Sequence, residues 1–244
     1  MRKEEKGKSW NGGANTYHLD SPSPYVEKEG IQFLRSYHQG GLPIADIGVY
    51  EGSNLPTLLT VGVPVIATDI PEAREVVLKT QKQYPTVSFI MALLTSLPFS
   101  DCELAKILSW RVLHNCTGRD FRFRYELLLA FAELNRVMMF QAPLLIAVRY
   151  ESQSGLLNSQ CIFIRNRTNG NGGVRKDVYF TRRGLKSIAE LMGFRVMYVT
   201  DVKEDEQVNG ITVKNHYLVA HLVKNTVPRS CHLDMAEHHI VRIL

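Results

Sequence analysis

The residues best suited to bind a ligand follow two short apolar runs in the N-terminal half of the chain. Asp46 lies in the first run, residues 43–47, with Gly48 directly after it, and Asp69 ends the second run, residues 63–68, 21 positions after Gly48. Glycine lets the backbone take a positive φ and pass close to a ligand. A carboxylate at this spacing accepts hydrogen bonds from both hydroxyls of a ribose. The spacing indicates a nucleoside-containing ligand and leaves its identity open.

The surrounding sequence predicts the elements that position these residues. Short β-rich runs at 43–47, 63–68, 87–92, 105–109 and 144–149 alternate with helical periodicity at 27–37, 71–84, 125–139 and 181–192. This alternation is typical of a doubly wound, mostly parallel α/β sheet, in which ligands bind at the carboxyl ends of the strands. Two final strands, 195–201 and 216–223, are predicted to pair antiparallel because no helix separates them. The Asn and Gly content of residues 166–173 predicts a flexible loop.

From about residue 25 to 224 the chain resembles the class I, seven-stranded Rossmann-like S-adenosylmethionine-dependent methyltransferases. Residues 44–54 resemble that family's D-x-G-x-G-x-G motif followed by Asn, with Asp46, Gly48, Gly52 and Asn54 matching. Residues 96–101 and 105–114 resemble an "LPF, strand, S-x-x-V-L-H" block, residues 133–137 the helix before the fifth strand, and residues 180–196 an "F-T, helix, G-F-x-V" block.

The resemblance implies a mostly parallel seven-stranded sheet with an antiparallel C-terminal hairpin, helices on both faces and S-adenosyl-L-methionine as cofactor. It implies that Asp46 orients the cofactor's amino group, that Gly48 and Gly52 shape the turn beneath the methionine half, and that Asp69 binds the ribose. Leu93 and Leu94 are expected to flank the adenine. Ser109 and Trp110 are expected to line the cofactor and open toward the acceptor.

Three positions depart from the family pattern. Tyr50 occupies the place of the middle glycine, where a side chain at positive φ is expected to be strained. The third strand ends in apolar Ala92, Leu93 and Leu94, where many relatives carry an acidic residue. Gln141-Ala142-Pro143 replaces the usual Pro-Gly-Gly turn before the fifth strand.

Two functions from different classes remain open. The first is methyl transfer to a small molecule, which is favoured, or to an exposed group of a macromolecule, with RNA as one case. The second is a catalytically inactive methyltransferase fold that acts as a binding or regulatory module. An NAD-dependent oxidoreductase is disfavoured because the glycines do not supply G-x-G-x-x-G.

No residue is firmly indicated as catalytic, because methyl transfer to a nucleophilic atom needs positioning more than acid–base chemistry. If the acceptor must lose a proton, His114 is a candidate base, although a histidine at a helix start that caps the backbone or faces water is the favoured explanation. Residues 1–24 form a candidate lid that includes Tyr17 and His18. Residues 25–224 form the methyltransferase-like domain, and residues 225–244 form a C-terminal tail.

The chain carries a formal charge of +5, and Arg119, Arg122 and Arg124 alternate with aromatic residues. Such a pattern grips nucleic acid or simply forms a solvated loop leading into a helix. The four cysteines form no C-x-x-C pair, so no zinc site is predicted, and the C-terminal residues His232, Asp234, His238 and His239 are interpreted as a solvated tail. The charged first residues lack the apolar region of a signal peptide, so a cytoplasmic protein without membrane attachment is expected. No motif indicates an oligomeric state.

Overall fold

A computed structural model of the 244-residue chain describes residues 23–37, 41–113, 122–150, 162–168, 174–208 and 211–226. For residues 122–125, 162–168, 174–178, 206–208 and 211–213 the description is confined to the backbone.

The N-terminal half alternates strands and helices. A wide helical turn, Val26–Gly30, continues into α1, Ile31–Ser36, and is followed by β1, Ile44–Ile47, and α2, Leu55–Leu59. Next come β2, Val65–Asp69, a 3₁₀ turn, Pro71–Ala73, α3, Arg74–Gln83, and β3, Ser88–Met91. Pro71 starts the segment after β2. Proline is favoured at the first helical position because an N–H group there would make no intrahelical hydrogen bond, so its absence costs nothing.

The C-terminal half starts with β4, Lys106–Trp110, α4, Arg122–Val137, and β5, Pro143–Arg149. A hairpin of β6, Ile162–Thr168, and β7, Val174–Phe180, precedes α5, Arg182–Leu191. Thr181 caps α5 by accepting a hydrogen bond from the Gly184 N–H at 3.0 Å, and Gly193 ends it at φ 84°. Two long strands, β8, Phe194–Val208, and β9, Ile211–Lys224, complete the fold.

Seven strands form one sheet in the order β3-β2-β1-β4-β5-β9-β8, while β6 and β7 form a separate two-stranded ribbon. The strands from β3 to β5 are parallel, and β9 runs antiparallel to both β5 and β8. The strand order reverses between β1 and β4, which places a switch point at the centre of the sheet. The predicted doubly wound sheet with an antiparallel C-terminal hairpin is confirmed.

Three details differ from the sequence-based expectations. Residues 166–168 belong to β6, so the predicted loop at 166–173 is wrong over those residues, and residues 169–173 lie outside the described part. Strand pairing satisfies the backbone there despite the Asn and Thr side chains. The final strands are longer than predicted and include polar residues near the hairpin tip, and α2 is a helix of five residues that periodicity did not reveal.

Each face of the sheet carries its own apolar core. Helices α1, α2 and α3 pack on one face through residues such as Leu34, Leu58 and Val77. Helices α4 and α5 pack on the other through residues such as Phe131 and Leu185. Both faces of the sheet are therefore shielded from water, and a ligand can reach the sheet at the edge where the strands end.

Two charged residues of α4 fix the loop between β3 and β4. The Glu133 carboxylate accepts a hydrogen bond from the Leu97 N–H at 2.7 Å and pairs with Arg136 at 2.7 Å. Arg136 also donates to the carbonyl oxygens of Leu97 and Phe99 and pairs with Asp101. This network explains why the "LPF" block and the α4 block occur together in the sequence.

Asn135 fastens three parts of the C-terminal half to one another. Its side chain is fully buried, and Nδ2 donates to the carbonyl oxygens of Met192 at 2.9 Å and Thr226 at 3.0 Å. The first carbonyl lies at the end of α5 and the second follows β9. A single amide thus joins α4 to both elements.

We expect Asn135→Ala to lower the free energy of unfolding by about 1–3 kcal/mol, because the buried carbonyl group of Met192 and the part-buried carbonyl group of Thr226 lose their donor. Chemical denaturation measures this loss. Lys186→Ala on the exposed face of α5, where Lys186 forms only a surface pair with Glu190, serves as the control and should stay within about 0.5 kcal/mol of the parent. An equal effect of the two changes would contradict the fastening role of Asn135.

Candidate functional site

The predicted ligand-binding residues converge on one edge of the sheet. Because β1, β2, β3 and β4 are parallel neighbours, their carboxyl ends meet at the same edge. Gly48 follows β1, Asp69 ends β2, Leu93 lies after β3 and Trp110 ends β4. Four segments that are separate in the sequence are thus brought together along this edge, which includes the switch point between β1 and β4.

The two glycines of the first turn are required by packing against the protein itself. Gly48 has φ 82°, and a Cβ built there overlaps the Val112 side chain beyond β4. Gly52 has φ 76°, and its Cβ would lie 2.6 Å from Thr80 Cγ2 of α3. A larger residue at either position is both strained and crowded. The turn therefore seats closely between β4 and α3.

Tyr50 takes the positive φ that the sequence predicted to be strained, at 45°. Its N–H donates to Asp69 Oδ2 at 2.7 Å, and its carbonyl oxygen accepts from Thr80 Oγ1 at 3.1 Å. Burial, followed by the negative charges of Glu51 and Asp69, raises the pKa of the Tyr50 phenol. A left-handed conformation costs a side-chain-bearing residue about 1–2 kcal/mol, and these two hydrogen bonds hold the turn against that cost.

Asp69 is anchored by the backbone on both sides. Oδ2 accepts from the Tyr50 N–H, and Oδ1 accepts from its neighbour Ile70 at 2.8 Å. Burial raises the pKa of this carboxyl group, and the two N–H donors oppose the rise. Each carboxylate oxygen has a further lone pair. The arrangement leaves Asp69 able to accept two more hydrogen bonds from a diol.

Asp46 is a buried acid without a positively charged neighbour in the part of the chain that the structure describes. Its exposed fraction is 2%. Burial, followed by the nearby charge of Asp69, raises its pKa to about 7. Two carboxyl groups facing one cleft edge favour a ligand that carries positive charge.

Three other predicted residues differ in their exposure. Leu93 is 52% exposed at the edge, whereas Leu94 is 8% exposed and packs in the core on the α4 face. Asn54 is buried, and its Oδ1 accepts a hydrogen bond from the Ser23 N–H at 3.4 Å. Their roles toward a cofactor remain predictions.

Ser109 and Trp110 present buried polar atoms at the end of β4. Among the described residues, neither Ser109 Oγ nor Trp110 Nε1 has a hydrogen-bond partner. A buried donor without a partner costs about 1–3 kcal/mol. A polar ligand at this edge is one way to satisfy such atoms, so the donor set is compatible with a bound cofactor or acceptor.

Several predicted residues lie outside the described part of the chain: Tyr17, His18, His114, Arg119 and residues 227–244 of the predicted C-terminal tail, 225–244. Arg122 and Arg124 lie in the first turns of α4. The candidate base, the candidate lid and the basic cluster therefore stay predictions.

The structure adds a charged cluster that the sequence did not indicate. We call Ser23, Arg111, Glu204 and Tyr217 the Glu204 cluster. The Glu204 carboxylate accepts hydrogen bonds from the Ser23 hydroxyl and the Arg111 guanidinium, which lies 4.6 Å from the centroid of the Tyr217 ring. Arg111 has φ 66°. Sequence alone misses Glu204, because it lies in a segment that reads as a polar loop.

An aromatic group next to this cluster joins the N-terminal segment to β4 and β9. The Tyr25 ring stacks on Trp110 with centroids 6.0 Å apart, and its hydroxyl lies 2.9 Å from His221 Nε2. Burial lowers the pKa of His221. With Ser23 bound to Asn54 and Glu204, the segment directly after residue 22 is tied to the carboxyl edge of the sheet at several points.

The described residues contain neither a metal-binding cluster nor a membrane-spanning helix. No group of three His, Cys, Asp or Glu side chains there is arranged to hold a metal ion. Likewise, none of the helices in those ranges has the length and apolar character needed to cross a bilayer.

No family model matches the chain, and no curated protein sequence does either. Solved structures, however, resemble it over most of its length. A SAM-dependent methyltransferase from Methanosarcina mazei matches with a TM-score of 0.63 at 16% identity, covering 84% of this chain and 99% of that one. The chain has the class I methyltransferase fold.

Two further methyltransferase structures support the same assignment of the fold. The 1,6-didemethyltoxoflavin-N1-methyltransferase of Burkholderia thailandensis, with bound 1,6-didemethyltoxoflavin and S-adenosylhomocysteine, gives a TM-score of 0.57 at 17% identity and covers 82% of this chain and 79% of its own. A geranyl diphosphate methyltransferase in complex with GPP and sinefungin gives 0.55 at 12% identity, with coverage of 82% and 79%.

The raised pKa of Asp46 predicts that stability depends on pH. Between the ordinary value of 3.8 and about 7 the folded chain binds more protons at Asp46 than the unfolded chain. The free energy of unfolding therefore falls as pH rises through this window, by up to about 1.4 kcal/mol per pH unit. Asp46→Asn removes the titrating group and should flatten most of this slope in denaturation curves recorded across the window.

Glu190→Gln on the exposed surface of α5 is the matched control and should keep the slope of the parent. Asp69 also has a raised pKa, so a smaller slope of the same sign should persist in D46N. An unchanged slope in D46N would contradict the assignment to Asp46.

Proposed function

We propose that this protein binds S-adenosyl-L-methionine at the carboxyl edge of β1 to β4 and transfers its methyl group to an acceptor, with a small molecule favoured. One observation carries the proposal: Asp69 ends β2 with its carboxylate fixed by two backbone N–H groups, beside the buried Asp46 and the Gly48–Gly52 turn. This combination lies at the switch point of a class I methyltransferase fold.

Each part of this edge has a role toward the cofactor. Asp69 would accept hydrogen bonds from the ribose hydroxyls through its remaining lone pairs. Asp46 would face positive charge on the methionine half, and the exposed Leu93 would contact the adenine. S-adenosylmethionine supplies an electrophilic methyl group when bound, so the protein needs to hold an acceptor in line with it.

The acceptor would approach from the side of β4, β8 and β9. Trp110 ends β4 and stacks against Tyr25, while Arg111 follows β4 and shares the Glu204 carboxylate with Ser23 of the N-terminal segment. These contacts support a role for residues 1–24 as a lid. Two of the structural neighbours are named for small acceptors, didemethyltoxoflavin and geranyl diphosphate, which supports the small-molecule case for this chain.

A second candidate, an inactive binding module with this fold, is favoured by Tyr50. Its left-handed backbone and half-buried ring stand where the family motif has a glycine, and Ala92 and Leu93 offer the adenine no acidic side chain. The two candidates differ in one measurable property, the affinity for the cofactor.

Isothermal titration calorimetry with S-adenosylhomocysteine tests the cofactor site. We expect micromolar binding by the parent and a loss of at least about tenfold in Asp69→Ala, because hydrogen bonds to a charged group contribute about 1.5–3 kcal/mol each. Glu190→Ala, a surface acid on α5, should bind as the parent does. A folded, cofactor-free parent that shows no binding would favour the inactive module.

Two substitutions separate the backbone strain at Tyr50 from the bulk of its ring. Tyr50→Gly removes both and should raise the free energy of unfolding by about 1 kcal/mol, whereas Tyr50→Ala removes only the ring and should bring no such gain. For an active enzyme, both variants should bind S-adenosylhomocysteine within about threefold of the parent, since that difference is under 1 kcal/mol. If the parent does not bind S-adenosylhomocysteine but both variants do, the Tyr50 ring blocks the cofactor site.

A further inference from the structure

The positive charge of this protein is concentrated in one segment. Residues 162–186, which span β6, β7 and the start of α5, contain seven basic residues and one acidic residue, a formal charge of +6. The whole chain carries +5, so all other residues together sum to −1. The basic residues are Arg165, Arg167, Arg175, Lys176, Arg182, Arg183 and Lys186. Clustered charge of this kind is what marks an anion-binding surface.

The strand register places three of these arginines on one face of the β6–β7 ribbon. Directly paired residues share a face, and the face alternates at every step along a strand. The pairs on this face are Phe163 with Tyr179, Arg165 with Asp177, and Arg167 with Arg175. We call these six residues the arginine face. Along it, two aromatic residues are followed by three arginines and one aspartate.

The opposite face of the ribbon is the one that joins the body of the protein. Phe180 belongs to it by register and is fully buried in the core on the α4 and α5 side. By register the same face carries apolar Ile162, Ile164, Val174 and Val178 and polar Asn166, Thr168 and Lys176. The arginine face is therefore the face of the ribbon opposite to the one that holds the buried Phe180.

The position of the ribbon relates it to the candidate site. Phe180 forms a bridge with Tyr150, directly after the carboxyl end of β5. The ribbon therefore starts at the same edge of the sheet as Trp110 and Asp69. Arg182 and Lys186 of α5 extend the basic surface, although each forms an exposed pair, with Asp201 and Glu190 respectively. Exposed pairs of this kind are weak.

We propose that the arginine face binds single-stranded nucleic acid. Guanidinium groups recognise phosphate oxygens in a planar, bidentate manner, and aromatic residues between them offer platforms on which bases stack. An anionic lipid surface would use the charge alone, whereas the shared register of Phe163 and Tyr179 with the arginines matches a polymer of phosphates and bases. The proposal goes beyond methyl transfer and does not depend on cofactor binding.

Fluorescence anisotropy with a short, fluorescein-labelled oligouridylate tests the proposal on the full chain. The parent should bind, and the variant R165A/R167A/R175A should bind at least about tenfold more weakly at moderate salt. The slope of log affinity against log salt concentration should be less steep by about 2 in this variant, which is the change expected for the loss of three phosphate contacts to a single strand.

The chain provides a control with the same change in net charge. Helix α3 carries three exposed basic residues, Arg74, Lys79 and Lys82. It directly precedes β3, the outermost strand on one side of the sheet. R74A/K79A/K82A should bind within about twofold of the parent, because charges farther away than a Debye length of about 10 Å are screened. Equal losses in both triple variants would show that binding follows net charge and would overturn the proposal.

A gain-of-binding variant keeps the test informative if the triple variant folds poorly. Asp177→Asn removes the one carboxylate of the arginine face and should raise the affinity for the oligouridylate several-fold. Circular dichroism verifies the fold of each variant. Unchanged or weaker binding by D177N would count against the arginine face.

Vesicles of phosphatidylglycerol and phosphatidylcholine provide the competing anionic surface. Binding to these vesicles without binding to the oligouridylate would overturn the proposal in favour of a membrane surface, and a parent that binds neither would overturn it outright. Calorimetry with S-adenosylhomocysteine is independent of these outcomes, so failure of the nucleic-acid surface and failure of the cofactor site are distinguishable.

Discussion

The candidate site depends on the pair of hydrogen bonds that fix the Asp69 carboxylate. One bond comes from its neighbour Ile70, and the other from Tyr50, in the turn that follows a different strand. The second bond ties the end of β2 to the turn after β1, and Thr80 of α3 ties the same turn from the other side. These contacts fix the position of the turn. At Gly48 and Gly52 the turn then lies so close to neighbouring side chains that there is no room for a Cβ atom.

Unfavourable features collect at this edge, at the carboxyl ends of the central strands. A non-glycine residue at positive φ, a buried aspartate and two buried polar atoms without described partners lie within the ends of β1, β2 and β4. Each opposes folding by about 1–3 kcal/mol. A bound, positively charged nucleoside would offset part of that cost by pairing with the acids and satisfying the donors. Such a concentration of unfavourable features is what the proposed ligand-binding role of this edge would require.

Much of the fold is predictable from the sequence because the central strands are short, apolar and separated by periodic helices. Residues 43–47 and 144–149, for example, are buried strands within one residue of the expected bounds. The candidate site residues Asp46, Gly48 and Asp69 were predictable because they lie at the carboxyl ends of such strands or directly after them. Glu204 was not, since a polar residue in a long hairpin carries no signal until its partners Ser23 and Arg111 are placed beside it. The β6–β7 ribbon was not predicted for a similar reason. Its polar residues show no strand pattern in the sequence, and they form strands because the two segments pair with each other.

The strand order also bears on when during synthesis the site becomes complete. The Ser23–Glu204 contact joins residues 181 positions apart, and β9, the last strand among the described residues, lies between β5 and β8. During translation, the strands around Asp69 emerge early, whereas the hairpin that holds Arg111 and Ser23 in place emerges last. Contacts of such long range form slowly, and N-terminal parts of a chain collapse first. On the proposed function, a nascent chain would expose the cofactor side of the sheet before the acceptor side forms, so that early binding of the nucleoside would order the growing polypeptide.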